Sequence, residues 1–277
     1  MKIECNLEKL RNSISLTERV TGKNLTLPIL GSILLIASGK SLKMRATNLN
    51  IGIEIEIPAK VEKEGVVAVS GNVLSNVFSN IIQNDNVTIT EVDGNIVIET
   101  KKSKIKLKCN PYEDFPTIPS VIGSNFNLES KKILDGIKSV YYSSAVSDIK
   151  PEISSVYMYS NEDNLVFVST DSFRLAEKKI KVKNLPENIN ILIPFKNIPE
   201  ILRTFGENNE DIKIDFNKNQ ISMSCNGIYL TSRIIDGIFP DYRQILPKES
   251  KTEAVVLKQD LLNALKLSNI FSDKFNQ

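Results

Sequence analysis

Residues 170–176 read Thr-Asp-Ser-Phe-Arg-Leu-Ala and lie between two apolar runs. The run from Leu165 to Val168 precedes this stretch, and a run that contains Ile180 and Val182 follows it. A short polar turn between two β-type runs predicts a hairpin, and Asp and Ser suit such a turn because their side chains bond nearby backbone N–H groups. The adjacent Phe and Arg add an apolar surface beside a charged rim, a combination that is also typical of pockets that anchor peptides. A hairpin tip alone would explain the stretch, so both interpretations are kept at this point.

The composition places the chain among soluble globular proteins. Its 277 residues suggest about two domains, and hydrophobic residues make up 41% of it and charged residues 25%. The sequence contains no run of about 18 apolar residues, so no membrane-spanning helix is predicted. The net charge of +2 neither demands nor excludes a nucleic-acid partner.

Several kinds of chemistry are excluded or disfavoured by the residue types. The chain has no histidine, so a Ser-His-Asp triad and a histidine-ligated metal are impossible. The three cysteines, Cys5, Cys109 and Cys225, lie far apart and match neither a metal-type spacing nor a disulfide framework, as expected in a reducing cytoplasm. No glycine-rich phosphate-binding loop is present.

One order of elements is predicted to occur twice. A strand at Lys2–Asn6 leads into an amphipathic helix over 7–20, and Ser70 is placed to cap a second helix. Strands with alternating apolar residues lie between and after these helices, and the same order restarts near Phe126. A Phe-Pro pair closes each unit, at Phe115-Pro116 and at Phe239-Pro240. The pattern favours one α+β unit used twice, with two unrelated α+β domains as the alternative.

The predicted domains cover 1–121, 124–249 and the beginning of a third over 252–277. The third begins with an apolar run at 254–257 and a helix that carries Leu261, Leu262 and Leu265. A segment this short cannot bury a core of its own. We therefore expect a truncated third domain, with a segment that docks on the second domain as the alternative.

Several motifs along the chain match one family. They are Thr26-Leu27-Pro28-Ile29-Leu30-Gly31, Thr170-Asp171 with Arg174-Leu175-Ala176, Asp236-Gly237 with Phe239-Pro240-Asp241-Tyr242-Arg243, Leu246-Pro247, and Lys274-Phe275. In their order and spacing they resemble the bacterial DNA polymerase III beta subunit family, the sliding clamps. The resemblance implies an α+β fold of repeated DNA-clamp domains, each with two helices packed on antiparallel sheets.

The resemblance also implies a function without catalysis. Three like domains in each of two subunits would form a homodimeric ring whose helices face duplex DNA, and this ring would give processivity to the replicative polymerase. Partners would be double-stranded DNA, and polymerase and clamp-loader subunits that bind through short clamp-binding peptides. No cofactor, metal or membrane is implied, and the location would be the cytoplasm.

The resemblance implies a peptide-binding pocket and a set of DNA contacts. The pocket residues are Ile153, Thr170, Ser172, Phe173, Arg174, Leu175, Pro240, Gln244 and Ile245. The DNA contacts are Lys23, Asn24, Lys150 and Lys196 near the hole, and Lys9, Lys131, Lys138 and Arg203 on inner helices. The sequence departs from the family pattern at Ser172, where relatives commonly have Gly, at Phe173, where they have a small polar residue or His, and at Gln244, which often aligns with Arg.

Two other functions are kept as alternatives. One is an interaction protein that retains the peptide pocket but encloses no DNA. The other is a metal-dependent nuclease that would use Asp171, Asp236 and Asp241. These aspartates lie in predicted turns, where Asp is favoured for local backbone bonding, and this context disfavours the nuclease.

Overall fold

The computed structural model describes residues 1–22, 27–81, 86–147, 149–206, 209–247, 249 and 251–272. The chain forms two compact units, Met1–Phe239 and Pro240–Gln277. The first unit holds the whole of the predicted domain 1–121 and residues 124–239 of the predicted domain 124–249.

The first repeat contains strands β1 to β9 and helices α1 and α2. In chain order these are β1 (Lys2–Asn6), α1 (Leu7–Arg19), β2 (Ser32–Ser38), β3 (Ser41–Thr47), β4 (Ile51–Pro58), β5 (Lys60–Lys63), β6 (Gly65–Ser70), α2 (Gly71–Asn80), β7 (Asn86–Val92), β8 (Asn95–Glu99) and β9 (Lys104–Lys108).

The second repeat contains strands β10 to β17 and helices α3 and α4. In chain order these are β10 (Ser124–Glu129), α3 (Ser130–Lys138), β11 (Ser155–Asn161), β12 (Asn164–Thr170), β13 (Leu175–Lys181), β14 (Asn190–Pro194), α4 (Ile198–Phe205), β15 (Asp211–Phe216), β16 (Gln220–Cys225) and β17 (Ile228–Arg233).

The two repeats have the same strand topology. In the first, strands run β1-β7-β8-β9 in one sheet and β6-β2-β3-β4 in another, with β5 added at the β1 edge. In the second, the corresponding orders are β10-β15-β16-β17 and β14-β11-β12-β13. The prediction of one repeated α+β unit with antiparallel sheets is therefore confirmed.

A shared sheet joins the repeats. The last strand of the second repeat, β17, pairs antiparallel with β4 of the first, so Leu230 lies opposite Ile53 and Thr231 opposite Gly52. The resulting sheet has eight strands. Because both strands contribute buried residues to one hydrophobic core, the repeats should be energetically coupled rather than independent.

The helices pack their apolar faces on these sheets. Asn6 caps α1 by accepting a hydrogen bond from the backbone N–H of Lys9 at 3.0 Å. Ser70 lies at the N-cap position of α2 as predicted, but its side chain makes no capping hydrogen bond. Helix α1 contacts α2, α3 contacts α4, and α1 also contacts α4. The helices of the two repeats thus meet within one layer.

In the second unit, helix α5 spans Lys258–Ser268, and no residue of this helix is buried. Its leucines, which the sequence assigns to an apolar helix face, are accordingly exposed.

Candidate functional site

The turn between β12 and β13, residues 170–174, is called the β12–β13 tip. Two of its own side chains stabilise it through hydrogen bonds. The Thr170 hydroxyl accepts a hydrogen bond from the backbone N–H of Ser172 at 3.1 Å and donates one to the carbonyl of Arg174 at 2.8 Å. Asp171 Oδ1 accepts from the backbone N–H groups of Phe173 and Arg174 at 3.0 and 2.9 Å. Ser172 adopts a φ of 77°, in the left-handed region that favours Gly. Its backbone therefore has the conformation that suits the Gly of the family pattern.

Asp171 also orients the arginine of the tip. Arg174 Nε lies 2.9 Å from Asp171 Oδ2. Partial burial alone would raise the pKa of the Asp171 carboxyl, but the backbone N–H groups of Arg174 and Phe173 and the guanidinium outweigh it and hold this pKa below its ordinary value. The carboxylate is therefore charged at neutral pH and fixes one edge of the guanidinium.

Around this turn the residues differ sharply in exposure. Thr170 is buried and Leu175 is half-buried, whereas the Phe173 side chain is 96% exposed. Ile153, also half-buried, precedes β11, and β11 begins where β12 ends because Tyr157 pairs with Val168 in the antiparallel register. Ile153 therefore lies at the same end of the four-stranded sheet as the tip.

The remaining pocket residues, Pro240, Gln244 and Ile245, belong to the second unit. Gln244 Nε2 donates to Asp241 Oδ2 at 2.8 Å, and the Ile245 side chain is 73% exposed. The pocket that the resemblance implies spans both units and stays a prediction.

Three stacked aromatic rings hold the end of the first unit, and no local pattern in the sequence predicts this stack. The ring of Tyr157 stacks on Tyr159 at a centroid distance of 4.8 Å and on Phe239 at 4.9 Å. The backbone N–H of Ile235 also donates to the carbonyl of Leu192 at 2.9 Å. These contacts fasten the segment that leads to Pro240 onto the β11–β14 sheet. The two tyrosines at alternate positions of one strand were the available signal, but nothing near them pointed to Phe239.

The predicted DNA contacts lie on several elements. Lys9 is exposed on α1, Lys131 and Lys138 are exposed on α3, and Arg203 is exposed on α4. Arg203 donates to both carboxylate oxygens of Glu200 at 2.9 Å, so its charge is partly neutralised.

The other four predicted DNA contacts are Lys23, Asn24, Lys150 and Lys196. Lys23 and Asn24 lie outside the described residues. Lys150 and Lys196 are exposed, and Lys196 lines a cavity of about 300 Å³ together with Arg233. Helix α2 carries no charged residue, so the positive charge of the helix layer comes from the other helices.

The described residues show little that would support hydrolytic chemistry. They contain no group of three or more His, Cys, Asp or Glu side chains that could hold a metal ion. Burial raises the pKa of the Cys5 thiol to about 12, helped by the neighbouring Glu4 carboxylate, so this thiol is not a nucleophile near neutral pH. Within the described part of the chain, no helix combines the length and apolarity needed to cross a membrane.

Comparison with known proteins gives the same assignment along most of the chain. Residues 1–119 match the family described as DNA polymerase III beta subunit, N-terminal domain, and residues 127–241 match its central domain. The beta sliding clamp of Synechococcus elongatus is 24% identical over 285 residues, covering 100% of this chain and 76% of the relative. The beta sliding clamp of Buchnera aphidicola is 27% identical over 276 residues, covering 97% and 75%.

Solved structures agree in fold. The DNA polymerase sliding clamp of Bacillus subtilis superposes with a TM-score of 0.91 at 22% identity, covering 99% of this chain and 75% of that one. A sliding clamp of Pseudomonas aeruginosa bound to griselimycin gives 0.91 at 24% identity, covering 98% and 74%.

A repeated unit of paired helices on antiparallel sheets, continued from one repeat to the next through a shared sheet, is the fold of the solved sliding clamps. The relatives named as sliding clamps are non-catalytic processivity factors. The chain belongs to the DNA polymerase III beta subunit family. Its relatives are named as sliding clamps, which supports a role in polymerase processivity and does not favour the nuclease or the non-enclosing alternative.

Proposed function

We propose that the protein encircles duplex DNA as a homodimeric sliding clamp in the cytoplasm and tethers the replicative polymerase to its template. The observation that carries this proposal is the β4–β17 junction, because it shows how one repeat adds to the next through strand pairing. If further repeats were joined by the same kind of strand pairing, both the shared sheet and the layer of helices would be extended. Closure of such an array would leave helices toward the centre and sheets outside.

Tethering would act through effective concentration. A polymerase held to an enclosed clamp rebinds the primer end before it can diffuse away, and this gain requires no new contact with the DNA bases. The exposed lysines of α1 and α3 would attract the phosphates without reading sequence. The uncharged α2 and the Glu200–Arg203 pair would keep this attraction weak enough for sliding.

Partner peptides would dock at the β12–β13 tip. Leu175 and Ile153 would contribute apolar surface, and Asp171 would hold Arg174 so that its guanidinium faces the ligand. Pro240, Gln244 and Ile245 would complete the pocket from the second unit. The stack of Phe239 on Tyr157 would support this side by fixing the segment just before Pro240.

Loading on nicked circular DNA tests the encircling mode. The protein should remain on the circle through gel filtration and leave when a restriction enzyme linearises the DNA. A linear molecule blocked at both ends by bound protein is the control, and it should retain the clamp. Equal retention on open linear and circular DNA would show ordinary surface binding and overturn the proposal.

A further inference from the structure

The β3–β4 tip of the first repeat has the same hydrogen bonds as the β12–β13 tip. The Thr47 hydroxyl accepts from the backbone N–H of Leu49 at 3.0 Å and donates to the carbonyl of Ile51 at 2.9 Å. Asn48 Oδ1 accepts from the backbone N–H groups of Asn50 and Ile51 at 3.0 Å each. Leu49 has a φ of 74°, against 77° at Ser172. The first repeat therefore builds a second tip of the kind predicted to bind peptides in the second.

A cavity of about 220 Å³ lies beside this β3–β4 tip. Its walls come from the tip itself, from the linker at 116–119 and from β16 and β17. This volume is below the range of about 300–1,000 Å³ that accommodates drug-sized ligands. It suits a single side chain with the groups next to it.

The linker supplies an apolar wall of this cavity. Gly52 follows the tip at the position that Leu175 occupies in the second repeat, and a Cβ on Gly52 would lie 3.2 Å from Ile118 Cγ2. Ile118 thus replaces the leucine that the first repeat lacks. The Tyr229 hydroxyl holds the linker in place, because it accepts from the backbone N–H of Val121 at 3.0 Å and donates to the carbonyl of Pro119 at 2.9 Å.

Two polar side chains line the cavity on the β16–β17 side. Gln220 and Arg233 lie opposite each other in the β16–β17 register, and both line the cavity. Arg233 is exposed, and its backbone N–H donates to the carbonyl of Asn50 at 2.8 Å, which anchors the residue to the tip. Among the described residues, no carboxylate forms a salt bridge with its guanidinium.

We propose that the cavity between the two repeats binds the C-terminal residue of a partner peptide, with its apolar side chain against Ile118 of the linker and its α-carboxylate on Arg233. A guanidinium recognises a planar carboxylate through paired, charge-assisted hydrogen bonds, and the Gln220 amide adds a neutral donor. The apolar wall and the cationic group lie on the same small cavity, as this ligand requires. The site is separate from the predicted pocket at Leu175 and does not depend on it.

Methyl NMR of the whole chain, with isoleucine δ1 groups labelled, tests the proposal. The probe is the tripeptide acetyl-Gly-Gly-Leu, as the free acid and as the C-terminal amide. The acid should bind with roughly millimolar affinity and shift the signal of Ile118 but not that of Ile153. The amide should bind about tenfold more weakly, because it loses the charge-assisted bond.

Two variants separate the carboxylate contact from general effects. Arg233→Gln should abolish the preference for the acid, whereas Arg19→Gln, which removes the same charge from α1, should leave it unchanged. Gln220→Glu retains Arg233 but places a second negative charge beside the carboxylate of the ligand. It should therefore lower the affinity for the acid form of the tripeptide and leave the affinity for the amide form unchanged.

The proposal would be overturned by shifts at Ile153 alone, by equal affinities for acid and amide, or by the absence of shifts at 10-fold the expected dissociation constant, roughly 10 mM. If Arg233→Gln markedly lowers the unfolding midpoint, its effect on binding cannot be separated from its effect on stability. The proposal then stands or falls on whether Gln220→Glu weakens binding of the acid but not of the amide.

Discussion

At the scale of single residues, the two hairpin tips allow a matched comparison of Asp171 and Asn48. Each side chain accepts two backbone hydrogen bonds, but only Asp171 also pairs with an arginine. Replacing either residue by Ala should lower the free energy of unfolding by about 1 kcal/mol, since the turn loses its internal acceptors. Urea denaturation measures both effects.

The dependence on pH should distinguish the two tips. Because the folded-state pKa of Asp171 is lowered, its carboxylate contributes stability above its unfolded pKa of about 4, and this contribution is lost as the pH falls through the folded-state pKa. The destabilisation caused by Asp171→Asn should therefore shrink on acidification. The cost of Asn48→Ala should stay constant over the same range, and parallel pH profiles for the two variants would contradict the assignment.

The predicted peptide pocket can be tested at Leu175 and Ile245. Truncating a buried leucine or isoleucine contact loses roughly 1.5–3 kcal/mol when the group is fully covered by ligand, so Leu175→Ala and Ile245→Ala should each weaken a short clamp-binding peptide by about tenfold or more. Fluorescence anisotropy of a labelled peptide measures this. Val92→Ala, an exposed apolar residue at the end of β7, is the control and should bind normally. Unchanged affinity in both pocket variants would refute the assignment.

At the scale of elements, helix α3 approaches strand β12 so closely that position 136 requires Gly. A Cβ built on Gly136 would lie 2.4 Å from Phe167 Cε2, and Phe167 is fully buried. Gly136→Ala should therefore destabilise the fold by about 1–3 kcal/mol through overpacking, despite the better helix propensity of Ala.

The double variant Gly136→Ala with Phe167→Leu tests this cause. The smaller side chain should make room for the new methyl group, so the double variant should lose less stability than the sum of the two single variants. Lys131→Ala, on the exposed face of the same helix, should change the free energy of unfolding by less than about 0.5 kcal/mol. Strict additivity in the cycle would show that the two residues do not compete for space.

Periodicity in the sequence located most elements, because burial on one face leaves a local pattern. The strand Lys2–Asn6 was predicted with the bounds that it has, and α1 ends one residue before the predicted limit. Contacts between distant segments leave no such pattern. The pairing of β4 with β17 and the stacking of Phe239 on Tyr157 follow from the tertiary arrangement alone.

For the site, sequence motifs indicated the position of the tip but not its geometry. The stretch 170–176 predicted a turn, and the structure shows why Thr170 and Asp171 in particular are suited to it. Its counterpart at Thr47–Ile51 was missed, since Asn48 and Leu49 do not resemble Asp171 and Ser172 as residue types. The two tips have the same pattern of internal hydrogen bonds although their residue types differ.

At the scale of the whole molecule, the proposed ring predicts a weak and additive contribution of basic residues to DNA retention. Lys9, Lys131 and Lys138 are exposed on helices that form one contacting layer, and each phosphate contact contributes about 0.9 to the slope of log affinity against log salt. Replacing all three by Gln should lower this slope by up to about 3 and should shorten the lifetime of the protein on nicked circles at raised salt. The control variant replaces Lys178, Lys181 and Lys183 by Gln, which gives the same change in net charge on and beside strand β13. This control should behave as the unmodified protein does.

Because enclosure rather than charge would retain the clamp, the helix variant should still be held on circular DNA at low salt and still leave after linearisation. If it fails to stay on circles even at low salt, phosphate binding rather than topology holds the protein, and the ring proposal fails.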